Sequence, residues 1–154
     1  MKDELLEQLM RDEGAVKNRD DLHIAYRCPA GKLTIGYGHN LDANPIPGIS
    51  AISTLTERAA RKLLADDIMA VCKQINERLP WAGKQLDNAR YSVLVNMAFN
   101  LGLAGLLGFS ETLRAVQKKD YANAAARMRV SLWAKQVGAR ARRLATQMEK
   151  GTWQ

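Results

Sequence analysis

The chain is 154 residues long, 47% hydrophobic and 25% charged, with 11 glycines and 4 prolines. That length supplies one folding unit, or two lobes sharing a core. The balance excludes disordered and fibrous chains, and no apolar run reaches membrane-spanning length. The formal net charge of +7 favours anionic partners such as nucleic acid, membrane surfaces or bacterial wall polymers, without choosing among them. Two cysteines, Cys28 and Cys72, are too few for a zinc site and have no CxxC spacing, so free thiols are expected.

Residues 2–13 carry the first predicted helix. Leu6, Leu9 and Met10 recur at helical spacing, and the next place on that stripe is Glu13. Gly14 follows, where a helix takes its left-handed stop. Burial and the negative end of the helix dipole both raise a carboxyl pKa. A carboxylic acid still protonated near neutral pH serves as a general acid. The plainer reading is a rim glutamate turned to solvent or paired with an arginine.

Residues 15–23 are charged and irregular and read as a surface loop or a lead-in to a hairpin. Ile24, Tyr26, Leu33, Ile35 and Tyr37 alternate with smaller or polar residues, which is strand periodicity, around the turn signal Cys28-Pro29-Ala30-Gly31. Leu33, Ile35 and Tyr37 share one face of the second strand; Thr34, Gly36 and Gly38 share the other. Glycines weaken a strand unless something approaches the backbone closely. A sugar ring, a bulge or a packed helix would each qualify.

A loop with Pro45, Pro47 and Gly48 leads to a helix over residues 57–80, capped by Thr54 with Glu57 or by Thr56. Leu64, Ile68, Val71, Ile75 and Leu79 keep its period, and at about 35 Å it is long enough to join two lobes. Asp87 starts a helix through Leu101 that is apolar on most sides, the mark of a central core helix, and Gly102 stops it. Ser110 is expected to cap the next helix and Asp120 the one after. The last helices fall near residues 130–135 and 139–150.

Asp12-Glu13-Gly14 followed by Thr34-Ile35-Gly36-Tyr37-Gly38-His39-Asn40-Leu41 resembles the catalytic signature of the phage-type lysozymes, the T-even-phage lysozyme family of glycoside hydrolases (family 24). Asn96-Met97-Ala98-Phe99-Asn100-Leu101-Gly102, Gly108-Phe109-Ser110, Ser131-Leu132-Trp133 and Gly151-Thr152-Trp153 continue the resemblance in the family's order, so it covers essentially the whole chain. It implies an α+β, lysozyme-like fold. Residues 14–56 would form a small β lobe and 57–80 a connecting helix. Residues 1–13 with 81–154 would form a helical lobe, with Glu13 at the mouth of the cleft.

The resemblance also implies roles. Glu13 matches the family's acid, and Thr34 matches a threonine that holds the attacking water. Arg140 resembles an arginine that pairs with the acid, an effect that opposes burial on its pKa. His39 and Asp67 match a structural pair. Asn40, Phe99 and Thr112 fall at substrate-contact positions; only Phe99 is identical in type there, and Arg127 departs in type at another. The best-known members carry an aspartate where this chain has Cys28, although other members resemble the cysteine variant. A thiol with a pKa of about 8.5 is a poor base at neutral pH, so Asp20 or Asp21 is the alternative source of a second carboxylate.

The function implied is an endolysin cleaving the β-1,4 link between N-acetylmuramic acid and N-acetylglucosamine in peptidoglycan. It would be a monomer without metal or organic cofactor, without nucleic-acid partner or membrane insertion. Met1-Lys2-Asp3-Glu4 lacks the apolar segment of a signal peptide, so the expected location is the cytoplasm of an infected or lysogenic bacterial host, with another factor releasing the enzyme to the wall. Two alternatives stand beside it: a lytic transglycosylase, which needs the acid but no activated water, and a non-catalytic basic binder of wall or nucleic acid.

Overall fold

Helix α1 (Lys2–Glu13) buries Leu5, Gln8 and Leu9, and the side chain of Asp12 is fully enclosed. The buried stripe is therefore one position removed from the expected one. Leu6, Met10 and Glu13 lie half-buried along its edge. Gly14, at φ +66°, ends the helix, and its N–H donates to the Met10 carbonyl at 3.0 Å. These positions come from a computed structural model that describes residues 2–154.

The segment after α1 is a small hairpin rather than an open loop. Lys17 bridges His23, and Asn18 Oδ1 accepts from the Asp20 and Leu22 amides. Strand periodicity from Ile24 onward belongs to two separate sheets. Strand β1 (His23–Ile24) pairs antiparallel with β5 (Thr54–Leu55), while β2 (Tyr26–Arg27), β3 (Leu33–Ile35) and β4 (His39–Asn40) form a three-stranded antiparallel sheet. The strand expected over residues 33–38 stops at Ile35 because Gly36 and Gly38 take φ of +62° and +82° and turn the chain.

Helix α2 (Glu57–Arg78) is capped by Thr56, whose hydroxyl accepts from the Ala59 amide at 3.1 Å. Thr54 is spent in β5. Ala60, Leu64, Ile68 and Ile75 are its buried apolar line. By their contacts, residues Lys2–Ala70 form one compact unit and Val71–Gln154 another. Helix α1 groups with the strands, whereas the expectation from sequence put residues 1–13 with the helical lobe.

Within the second unit, the short α3 (Ala82–Gln85) precedes α4 (Asn88–Leu107). Asp87 caps α4 by accepting from the Arg90 amide at 2.9 Å. Every residue from Tyr91 to Ala98 is buried. Gly102 (φ 75°, ψ 164°) breaks the helix, which resumes to Leu107. Helix α5 (Ser110–Gln117) has Phe109 at its N-cap and no side-chain cap, so Ser110 does not take the expected capping place. Asp120 caps α6 (Tyr121–Arg129), and Ser131 caps α7 (Leu132–Val137), two residues later than the predicted start.

Helix α8 (Ala139–Lys150) closes the unit. Ala141, Leu144, Ala145 and Met148 repeat at i, i+3, i+4 and i+7, all fully buried, and the helix packs on α4, α6 and α7. The two alanines let its backbone come close, while enclosure of Leu144 contributes about 1.5–3 kcal/mol. Arg90 donates to the Met148 and Glu149 carbonyls at 2.6 and 2.8 Å. It thereby places a cation on the negative end of α8 and satisfies carbonyls that have no partner within the helix. Among the described residues, no single helix is long and apolar enough to cross a membrane.

Candidate active site

The Glu13 carboxyl is seated against a glycine. A Cβ added at Gly38 would lie 2.7 Å from Glu13 Oε2 and 3.0 Å from its carboxyl carbon. The turn after β3 therefore brings bare backbone against the carboxyl, at a φ that side-chain-bearing residues resist. A Cβ added at Gly36 would meet Ala60 and Leu63 of α2 only at ordinary contact distance, so it is the φ of +62° that favours glycine there. Gly38 has a further cause, the Glu13 side chain itself.

Antiparallel register builds the rest of this face. Thr34 stands opposite Tyr26 on one side and Asn40 on the other, so the three side chains form one row. Cys28, two residues beyond Tyr26, continues on the same face. The Cys28 amide donates to the Lys32 carbonyl at 3.0 Å, and the Gly31 amide closes the turn on the Cys28 carbonyl at 2.7 Å. The half-buried thiol is held below the ordinary range. The largest cause is the Lys32 backbone N–H, opposed by burial and reinforced by the Ala30 N–H and the Thr34 hydroxyl. The Thr34 hydroxyl also has the Lys32 carbonyl within 2.9 Å. It can donate there while the thiol is protonated and turn to the sulfur once it is ionised.

Burial pushes the Tyr26 phenol up, and the charges of Glu13 and Cys28 add to that push. Tyr26 was not singled out in the sequence; its signal is the cross-strand pairing with Thr34. Asp20 and Asp21 lie at the exposed tip of the preceding hairpin, where Asp21 faces Lys17 at 3.5 Å. Asn40 Oδ1 accepts from the Ala43 amide at 3.0 Å, which shapes the turn after β4.

His39 sits on the opposite face of the sheet. Its Nδ1 lies 2.8 Å from Asp67 Oδ2 and its Nε2 lies 2.8 Å from the Asn44 carbonyl. Both neighbours only accept, so both ring nitrogens must donate and the ring is cationic. Its pKa is raised, first by the Asp67 hydrogen bond. A second polar cluster escaped the sequence reading. Tyr37 donates to both Glu57 oxygens, and buried His23 and Lys17 each approach that carboxylate at 3.3 Å. Burial and Glu57 push the Tyr37 phenol up to about 12. With all its polar partners internal, this cluster ties α2 to the strands.

In the helical unit, Arg140 Nε donates to the side chain of fully buried Asn96 at 2.9 Å. Phe99 is half-buried on α4. Thr112, 6% exposed, lines a cavity of about 260 Å³ with Phe109, Ser110 and Arg127 among its neighbours. Trp133 is a packing aromatic: it stacks edge-on against Phe109 and donates to Asn100 Oδ1 at 2.7 Å.

The family model described as phage lysozyme matches residues 22–150. The chain is similar to the probable T4-type lysozyme 1 of Dictyostelium discoideum, with 30% identity over 147 residues covering 82% of this chain and 86% of that one. It is also similar to an endolysin of Acyrthosiphon pisum secondary endosymbiont phage 1, with 28% identity over 112 residues covering 72% and 70%. A second Dictyostelium protein, probable T4-type lysozyme 2, shares 33% over 67 residues, 44% of this chain and 39% of its own length.

Proposed function

The chain belongs to the phage lysozyme family, and on that premise we propose that it cleaves the β-1,4 bond between N-acetylmuramic acid and N-acetylglucosamine and so lyses a bacterial host. Glycoside hydrolysis of peptidoglycan is the family's activity. The observation that carries the residue assignment is the seat of Glu13 on Gly38, which fixes the carboxyl in a unit that also presents Cys28 and Thr34 on one sheet face.

Glu13 gives its proton to the glycosidic oxygen as the bond to the anomeric carbon breaks. Water adds to that carbon, oriented by the Thr34 hydroxyl, and its proton passes to the Cys28 thiolate. The working state has Glu13 protonated and Cys28 ionised. It holds the same number of protons as the reverse arrangement, and the depressed thiol pKa moves the balance toward it. Asn40, Phe99 and Thr112 contact the glycan or its peptides. Arg140, His39 and Asp67 hold the framework, the last two as an ion pair beneath the sheet.

A lytic transglycosylase is the second reading, favoured by the absence of a carboxylate at position 28. Mass spectrometry of soluble fragments from purified peptidoglycan separates the two, with wild type beside Glu13→Gln. Reducing-end disaccharide-peptides from wild type alone are expected. Anhydro-muropeptides would move the assignment to the transglycosylase, and fragments from both proteins would remove Glu13 from its role.

A further inference from the structure

We infer that the cavity at the end of α2, α3 and the start of α4 is a second sugar-binding site, one that takes the acetamido group of an N-acetylhexosamine. Cys72, Asn76, Gly83, Leu86, Asn88 and Tyr91 line it. All six lie within the Val71–Gln154 unit, and none has a role in the proposed reaction. The Asn76 amide is held in one orientation. The Tyr91 hydroxyl donates to Asn76 Oδ1 at 2.8 Å and has the Cys72 carbonyl at 3.3 Å. A Cβ added at Gly83 would come within 3.1 Å of the same Asn76 oxygen, so bare backbone leaves the amide where Tyr91 holds it. With Oδ1 engaged, Nδ2 is the open end, and it has no hydrogen-bond partner among the described residues. The Asn88 side chain also makes no hydrogen bond among the described residues, because Asp87 caps α4 in its place.

An amide donor on one helix and an amide acceptor on the next match the C=O and N–H of a secondary amide. No lining side chain is charged. Cys72 stays a neutral thiol because burial raises its pKa, and it takes no part in the pairing. In a chain of net charge +7, a cavity without an ionised wall selects a neutral ligand. Leu86 and the Tyr91 ring supply apolar surface for a methyl group. At about 240 Å³ the cavity is smaller than the sites of drug-sized ligands and suits one sugar with its substituent. That the amide is an N-acetyl group rests on the lysozyme reading above, since N-acetylglucosamine and N-acetylmuramic acid each carry one. Two sites on one chain hold an insoluble polymer more tightly than one.

The test is a titration of the full chain with N-acetylglucosamine, followed by amide NMR, beside parallel titrations with glucose and with a dipeptide of the wall's stem. N-acetylglucosamine is expected to move the resonances of Gly83, Asn88 and the Asn76 side-chain amide in a saturable way, and glucose to leave them in place. Asn88→Ala, an exposed change with no hydrogen bond to lose, should weaken that binding about threefold to tenfold, the scale of one hydrogen bond. Gly83→Ala, which displaces the Asn76 amide, should weaken it by a similar factor. No shift at these residues, an equal response to glucose, or an affinity unchanged in both variants overturns the proposal. A stem dipeptide that binds there as tightly as the sugar overturns the assignment of the amide to a sugar. Binding without release of wall fragments by wild type leaves this site standing and sinks the catalytic reading; fragment release without binding gives the reverse.

Discussion

The two cysteines occupy opposite environments. Cys28 lies at a tight turn in the strand-bearing unit, where backbone N–H groups and the Thr34 hydroxyl stabilise its thiolate and lower its pKa. Cys72 lies on α2 in the helical unit, half-buried, and burial raises its pKa despite Tyr91. The Tyr91 hydroxyl is committed to Asn76 Oδ1 at 2.8 Å and to the Cys72 carbonyl at 3.3 Å. The same side chain is therefore chemically available in one place and quiet in the other. Thiol chemistry here is set by where backbone donors point: they reach the Cys28 sulfur, whereas burial dominates at Cys72.

The largest effect that bears on this contrast comes from the acid. Glu13→Gln should lower wall-fragment release by at least about a hundredfold, the scale of a lost general acid, while both thiols keep their alkylation rates. Gly38→Ala reaches the same carboxyl by geometry. Its Cβ would overlap Glu13 Oε2, so fragment release should fall by about tenfold or more, and the left-handed backbone should cost about 1–2 kcal/mol in denaturant unfolding.

The contrast itself predicts that iodoacetamide alkylates Cys28 about tenfold faster than Cys72 at neutral pH, read by peptide mass mapping. Equal rates would break it. Thr34→Val removes one donor to the thiolate and should slow Cys28 alkylation by about twofold to threefold at the same pH.

The smallest effect lies on the other face of the sheet. The pKa of His39 is raised in the folded chain. Its extra stability is therefore fully present below the unfolded value and is lost as pH rises through the folded one. Asp67→Asn should cost about 1 kcal/mol at pH 5, water screening the partly exposed Asp67. The gap in melting temperature should close at alkaline pH. A gap that widened as pH rose would contradict the ion-pair assignment.

Much of this was legible in the chain. Leu64, Ile68 and Ile75 mark α2, and the apolar run in residues 91–98 marks a core helix, because burial repeats with helical period. Asp87 and Asp120 cap where their sequence neighbours say they should. Ser110 does not, since the chain leaving Leu107 turns one residue earlier and puts Phe109 at the cap. The strand signal over residues 24–27 was real, but the division at Ala25 into two sheets depends on partners far along the chain. The seat of Glu13 on Gly38 is likewise tertiary. Sequence could say that something approaches the glycine, not that it is the catalytic candidate. Periodicity also chose the wrong line on α1, because Gln8 and Asp12 are buried although polar.

The central claim is that Cys28 is the base facing Glu13's chemistry. The most direct measurement compares fragment release from purified peptidoglycan by wild type, Cys28→Ala and Cys28→Asp, with Cys72→Ala as the control thiol. The account predicts a loss of about a hundredfold in Cys28→Ala, activity retained in Cys28→Asp, and no change in Cys72→Ala. Full activity in Cys28→Ala, with loss instead in Asp20→Asn or Asp21→Asn, would contradict it.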